Sequence, residues 1–212
     1  MLLFTTTIFS QGQQEKNPSD FLPKGYVVFE KINGDLNNDG LEDCVLIIKA
    51  TKKDKIIKSK SDELIDQNRR GIVVLFNRKD YYDLALKNTN CFSSENEEGG
   101  IYFAPELSII IKENKLYVHY GHGRYGYWEY TFRFQNSDFE LIGYDHSNGG
   151  TVIHNKTSIN FLTGKKLEKT NTYNNAEGGD EVFKEVWTNI NFPKLLQLSS
   201  IKDFDKIHFS EL

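Results

Sequence analysis

Cysteine and proline are scarce in this sequence, with 2 Cys and 4 Pro among 212 residues. Two cysteines are too few for a disulfide framework or a zinc site, which excludes disulfide-stapled scaffolds and zinc modules. Cys44 and Cys91 each sit at the end of an expected strand. They could pair in an oxidising compartment, or stand as two buried thiols, and the sequence does not choose. An excess of one charge is also missing, since 26 Lys and Arg stand against 30 Asp and Glu for a net charge of -4. No global field then draws the chain to a phosphate backbone or an anionic membrane, and nucleic acid is not an expected partner. The signatures HExxH, GxSxG, P-loop and CxxC are all absent. No catalytic residue is therefore assigned, and the reading leans away from an enzyme.

Aromatic residues are abundant instead, with 15 Phe, 11 Tyr and 2 Trp beside a single Met. That balance favours strands over helix bundles, and the length favours one domain. An all-β fold with little helix is expected. At the N-terminus, Leu2 to Phe9 is an apolar stretch followed by Ser10, Gly12 and a polar run. It has the shape of a signal-peptide core with its cleavage region and is too short to span a bilayer. Residues 1–16 are read as a signal peptide or disordered N-terminus and 20–212 as a single β-rich domain. The mature chain is expected to have no transmembrane segment and to be periplasmic or secreted.

After a polar lead-in from Asn17 to Pro23, GYVVFEKI (25–32) reads as a strand, and Cys44 to Ala50 as the next. Residues 51–70 are charge-rich, with Ser61 as an N-cap for one or two helical turns over Asp62 to Asn68. GIVVLFN (71–77) and YYDLALK (81–87) flank an Arg78-Lys79-Asp80 turn and predict a hairpin. Four strands follow on short turns: Leu107–Ile111, Lys115–Tyr120, Tyr127–Phe134 and Phe139–Tyr144. They make an aromatic antiparallel meander within 101–146. Residues 152–212 add a hairpin about Thr163-Gly164, a strand at Glu181 to Ile190, and a segment from Leu195 to Phe209 that reads as strand or helix. Two glycine pairs, EEGGIYF (97–103) and AEGGDEVF (176–183), read as loop ends feeding strands.

The first unusual feature is GDLNNDGLED, residues 34–43, running straight into CVLIIK. Hard divalent ions want six to eight oxygens, which a tightly curled loop supplies from alternate residues. Asp35, Asn37 and Asp39 provide side-chain oxygens at positions 1, 3 and 5, Gly40 permits the turn, Leu41 offers its carbonyl, and Asp43 completes the set. An EF-hand would need a bidentate Glu at position 12 and flanking helices, whereas position 12 here is Leu46 inside a strand. The metal-free alternative is an Asx-rich turn.

At Gly34, Asp35, Asn37, Asp39, Gly40, Asp43 and Val45 the sequence resembles the FG-GAP calcium loop, GDxNxDGxxDxVV, of integrin-like β-propellers and bacterial VCBS-like surface proteins. The resemblance covers residues 26–87 and one copy of the loop. It implies a propeller-like blade and a bound Ca2+ with a structural role. Together with the N-terminus and the aromatic strands, it resembles the exported all-β proteins of Bacteroidetes-like bacteria.

The second unusual feature is YVHYGHGRYGYWEYTFRF, residues 117–134. Gly121, Gly123 and Gly126 satisfy GxGxxG, but a dinucleotide site needs a helix to follow, and YWEYTFRF alternates as a strand. Trp128, Tyr130, Phe132 and Phe134 fall on one face, and Tyr127, Glu129, Thr131 and Arg133 on the other. The plain reading is an aromatic core face. The sharper one is that His119, His122, Arg124, Tyr125 and Tyr127 form a recognition surface for sugar or peptide.

Two functions are expected from this. The first is a non-catalytic, calcium-stabilised exported β domain binding a glycan or protein ligand at the cell envelope. The alternative is a glycan- or peptide-acting hydrolase using acids such as Glu97, Glu98, Glu129 or Asp145, which would require two carboxylates across a cleft.

Overall fold

The computed structural model describes residues 13–59, 62–96 and 105–209. The export signal expected at Leu2–Phe9, the glycine pair within 97–103, and Glu97 and Glu98 lie outside the described residues. Every pairing among the described strands is antiparallel, and helix is confined to short 3-10 turns. The all-β expectation holds.

The first sheet has the order β1 (Gln14–Glu15), β7 (Tyr82–Phe92), β6 (Arg70–Asn77), β3 (Asp43–Ala50) and β2 (Tyr26–Gly34). Its four long strands form an antiparallel meander. Between β3 and β6 a small hairpin, β4 (Ile56–Lys58) with β5 (Leu64–Asp66), stands apart as a two-stranded sheet. It corrects the expected helical turns over Asp62–Asn68. Ile65 is buried there, and Asn68 donates to the carbonyl of Lys52 at 3.0 Å while accepting its N–H at 2.8 Å, so tertiary contacts override a charge-rich, helix-compatible stretch.

The second sheet is an uninterrupted seven-stranded meander that curls into a half-barrel. Its strands are β8 (Glu106–Lys112), β9 (Lys115–Gly121), β10 (Gly126–Gln135), β11 (Asp138–Gly149), β12 (Ile153–Asn160), β13 (Lys165–Asn171) and β14 (Phe183–Asn189). Two of its turns place consecutive residues at positive φ, Glu113 with Asn114 and Asn136 with Ser137. That is the primed geometry whose twist suits a two-residue hairpin. A ring of blades is not formed among the described residues.

Both sheets pack onto one core. Val45, Ile47, Ile72 and Val74 of the first meet Val118, Tyr130, Phe132 and Leu141 of the second. The opposite faces of β3 and β6 bury Cys44, Leu46, Val73 and Leu75 beneath Phe21, which the polar lead-in delivers on a 3-10 turn. Burial on two faces is why CVLIIK and GIVVLF read as unbroken apolar runs. Each such side chain contributes about 1.5–3 kcal/mol by leaving water. Gly71 on β6 leaves no room for a side chain beside β7, since an added Cβ would stand 2.3 Å from the carbonyl oxygen of Asn88.

The two cysteines are free and buried in different places, Cys91 in the inter-sheet core and Cys44 in the cluster under Phe21. Burial pushes the Cys44 thiol up to about 11 and that of Cys91 higher still. These are the buried thiols of the two sequence alternatives.

The segment from Leu195 to Phe209 is neither strand nor helix but a strap with two 3-10 turns, Leu198–Ser200 and Phe204–Lys206. Its unclear period has a physical cause. The strap buries Leu198, Ile201 and Phe204 in steps of three through its 3-10 turns and Phe209 five residues on, a spacing that matches neither a strand nor an α-helix. It is fixed by the Asn88 side chain, whose Nδ2 donates to the carbonyls of Leu198 at 2.8 Å and Ile201 at 2.7 Å. An ion pair of Arg69 with Asp203 at 3.2 Å adds to the anchorage.

Candidate functional site

The acidic loop is held by its own backbone. Asp35 accepts the N–H of Asn38 at 2.7 Å through Oδ1 and that of Gly40 at 2.9 Å through Oδ2. Asn37 Oδ1 accepts the N–H of Asp39, and Asp39 Oδ1 that of Leu41, both at 2.9 Å. Asn38 and Gly40 take positive φ, as a curl this tight requires. Asp43 is fully buried, with Oδ2 on the N–H of Leu36 and Oδ1 on that of Asn77. Burial raises its carboxyl above the ordinary carboxylate range against the pull of those two N–H groups, and Asp39 and Asp35 push in the same direction as burial.

Asp35, Asn37, Asp39, Asp43 and the Leu41 carbonyl offer the hard oxygen donors that calcium takes, on one short loop. Among the described residues, however, no three His, Cys, Asp or Glu side chains converge to hold a metal. A guanidinium stands beside the loop instead. Arg78 Nη1 lies 3.2 Å from Asp39 Oδ2, and its Nε lies 2.8 Å from Asp83. The donor types thus fit a calcium ion, whose binding would exchange some of these hydrogen bonds for metal–oxygen bonds. The loop also does structural work: Leu36 is buried in the inter-sheet core, and Asn114 Nδ2 donates to the Asp35 carbonyl from the β8–β9 turn.

The five residues expected around the glycine-rich turn divide between the faces of the second sheet. On the outer face, His119 and Tyr127 stack at 5.4 Å, and His119 Nδ1 lies 3.1 Å from Glu129 Oε2. On the turn itself, Arg124 lies over the ring of Tyr125 and donates to its hydroxyl at 3.2 Å, while Tyr125 leans on His122 at 5.2 Å between ring centres. His122 reaches the inner side. Gly126 allows this reversal, with φ of 121° and no room for a Cβ, which would meet the Ser147 carbonyl oxygen at 1.9 Å.

On the inner side a cavity of about 500 Å³ opens between the second sheet, the strap and the chain at Ser93 and Ser94. Its aromatic walls are Tyr120, Trp128, Tyr130, Tyr144 and Phe204. Cross-strand register creates them, since Trp128 lies opposite Tyr120 on β9 and His146 on β11, and Tyr130 lies opposite Tyr144. Tyr120 and Trp128 stack at 5.3 Å with their planes 15° apart. Around these walls stand three imidazoles, His122, His146 and His208, with the Ser93 and Ser94 residues and Asp205. Burial lowers the His146 pKa, which keeps that imidazole neutral near pH 7.

Tyr120 is 2% exposed, and its hydroxyl has no hydrogen-bond partner among the described residues. Burial, followed by the nearby Asp205 carboxylate, raises its pKa well above the usual phenol value. A buried hydroxyl without a partner costs about 1–3 kcal/mol.

The sequence reading found His122 but missed the rest of this pocket. A signal existed for Tyr144 and His146, which sit two apart on a strand beside Trp128. None existed for Ser93, Asp205 or His208, which reach the cavity from distant segments. Glu129 and Asp145 do meet, as direct partners on β10 and β11, but on the outer face with His119. Asp205 is the single carboxylate among the described lining residues of the pocket.

Among the described residues no helix is long and apolar enough to cross a membrane. Compared with protein-family models, curated proteins and solved structures, the chain gives no match. Fold and site define an all-β protein with an aromatic, histidine-rimmed pocket.

Proposed function

We propose that the protein is a non-catalytic, calcium-stabilised β domain of the cell envelope, periplasmic or secreted, that holds a small glycan ligand in the pocket beside the glycine-rich turn. The observation that carries this reading is the pocket. Aromatic walls beside hydroxyl and imidazole groups, at a volume within the range of small-ligand sites, are what a specific binding cavity needs. Calcium at Asp35, Asn37, Asp39, Leu41 and Asp43 has a structural role, because the loop anchors Leu36 and the start of β3 rather than facing the cavity lining.

A glycosidase places two carboxylates across its cleft, and the described lining of this pocket supplies Asp205. That favours binding over turnover. The test is a glycan and cell-wall array probed with the purified protein, with and without calcium. Saturable retention that Trp128→Ala abolishes is expected. Release of shortened glycan products would make the protein a hydrolase instead, and no retention under either condition would overturn the binding reading.

A further inference from the structure

We infer that the pocket takes a neutral pyranose, its C–H face against the aromatic wall around Trp128 and its hydroxyl groups on the imidazoles, the serines and Asp205. This rests on the ligand-binding reading of the same pocket and narrows it to one ligand chemistry.

Charge is the first argument. No Lys or Arg is among the described lining residues, and the one fixed charge is the Asp205 carboxylate. The Arg70 guanidinium interacts with Asp205 and Tyr120 from outside that lining and already opposes the carboxylate, so an anionic sugar or a phosphate would give up its hydration with no further cation in the wall to compensate. A neutral ligand carries no such penalty.

Hydrogen-bonding character is the second. A neutral imidazole donates from one nitrogen and accepts at the other, and a hydroxyl does both. Sugar hydroxyls have the same double character. His122, His146 and His208 come from a turn, a strand and the strap, and Ser93 and Ser94 from a fourth segment, so polar groups surround the cavity rather than line one side. A flat nucleobase bears its polar atoms on its edges and asks for stacking on both faces. A pyranose bears hydroxyls around its whole ring and one apolar C–H face.

The third is the Tyr120 hydroxyl, buried in the pocket wall with no partner among the described residues. A sugar oxygen is an acceptor that would satisfy it. Tyr120 also stacks on Trp128, holding the indole in place for ring contact.

The experiment uses the full chain carrying Trp187→Phe, which leaves Trp128 as the sole fluorophore of its kind. Trp187 is exposed and is not among the pocket's lining residues. The probes are methyl glucoside, galactoside, mannoside and xyloside with their neutral disaccharides, then glucuronic and galacturonic acids, then adenosine. Fluorescence titration and calorimetry read binding. At least one neutral sugar is expected to shift Trp128 emission saturably, with affinity at least about tenfold above that of the matching uronic acid. Asp205→Asn and His208→Ala, each checked for an unchanged melting temperature, are expected to weaken it about tenfold or more. Should either variant unfold, Ser93→Ala is the substitute. Binding of a uronic acid or of adenosine in preference to every neutral sugar would overturn the ligand class while leaving the pocket a binding site. Silence from all three groups of probes would overturn both.

Discussion

The carboxylate of Asp43 accepts the backbone N–H of Asn77 at 2.9 Å, joining residues that are 34 apart in the chain. Its other oxygen holds the N–H of Leu36 at 2.8 Å, so one buried side chain ties the acidic loop, β3 and the end of β6 together. Replacing it by alanine strands two buried donors. Asp43→Ala is expected to cost about 3 kcal/mol or more, which is about 6–12 °C of melting temperature at this chain length. Asp43→Asn keeps one carbonyl acceptor and removes a charge that burial disfavours, so its drop should be smaller. Calorimetric melting of both variants checks this, and equal drops would sink the argument.

On the proposed calcium role, Arg78 and the ion would compete for the Asp39 carboxylate. With Arg78 Nη1 at 3.2 Å from Asp39, the guanidinium already offsets part of the loop's charge. Chelation by EDTA is expected to lower the melting temperature, and Asp39→Ala to abolish that response. Arg78→Gln should enlarge it, because calcium then remains as the loop's one strong counter-charge. A melting temperature indifferent to EDTA in all three proteins would rule out the calcium role.

The strap depends on Asn88. Its amide gives both protons to strap carbonyls, at 2.8 Å and 2.7 Å. Asn88→Ala leaves those acceptors without donors and is expected to cost about 2–3 kcal/mol. Amide exchange should rise selectively over residues 198–206, and ligand affinity should fall, since Asp205 and His208 ride on the strap. Uniform exchange along the chain would show that the clamp is not local.

His146 sets an acid limit on stability. Burial lowers its pKa from the ordinary 6.5, so the unfolded chain takes up the proton at a higher pH than the folded one. Its contribution is therefore complete above about pH 6.5 and is lost as pH falls from there through the lowered folded value. Wild-type protein should melt earlier at about pH 5.5 than at about pH 7.5, and His146→Gln should narrow that gap. A gap unchanged by the substitution would assign the pH response to other groups.

Much of the fold was legible because its signals are local. Continuous apolar runs marked β3 and β6, alternation marked β10, and the polar turns Glu113-Asn114 and Asn136-Ser137 fell where the backbone reverses. Alternation also assigned Trp128, Tyr130, Phe132 and Phe134 to the core face, where all four pack. Two segments failed for one shared reason. Both β5 and the strap are held by partners far along the chain, Asn96 on the Asp66 carbonyl for one and Asn88 on the Leu198 carbonyl for the other.

By itself, the sequence determined that this is an all-β chain with a tightly curled acidic loop at the head of a core strand and an aromatic face behind a glycine-rich turn. Those features follow from period, turn chemistry and side-chain type, which act over a few residues. Only the tertiary structure decided that His119 and Tyr127 turn outward while His122 turns inward, because strand pleat separates neighbours that sequence lists side by side. Only it, too, decided that Ser93, Asp205 and His208 meet Trp128 in one cavity. Strand register and the course of the strap bring those residues together, and neither is written in any short stretch of the chain.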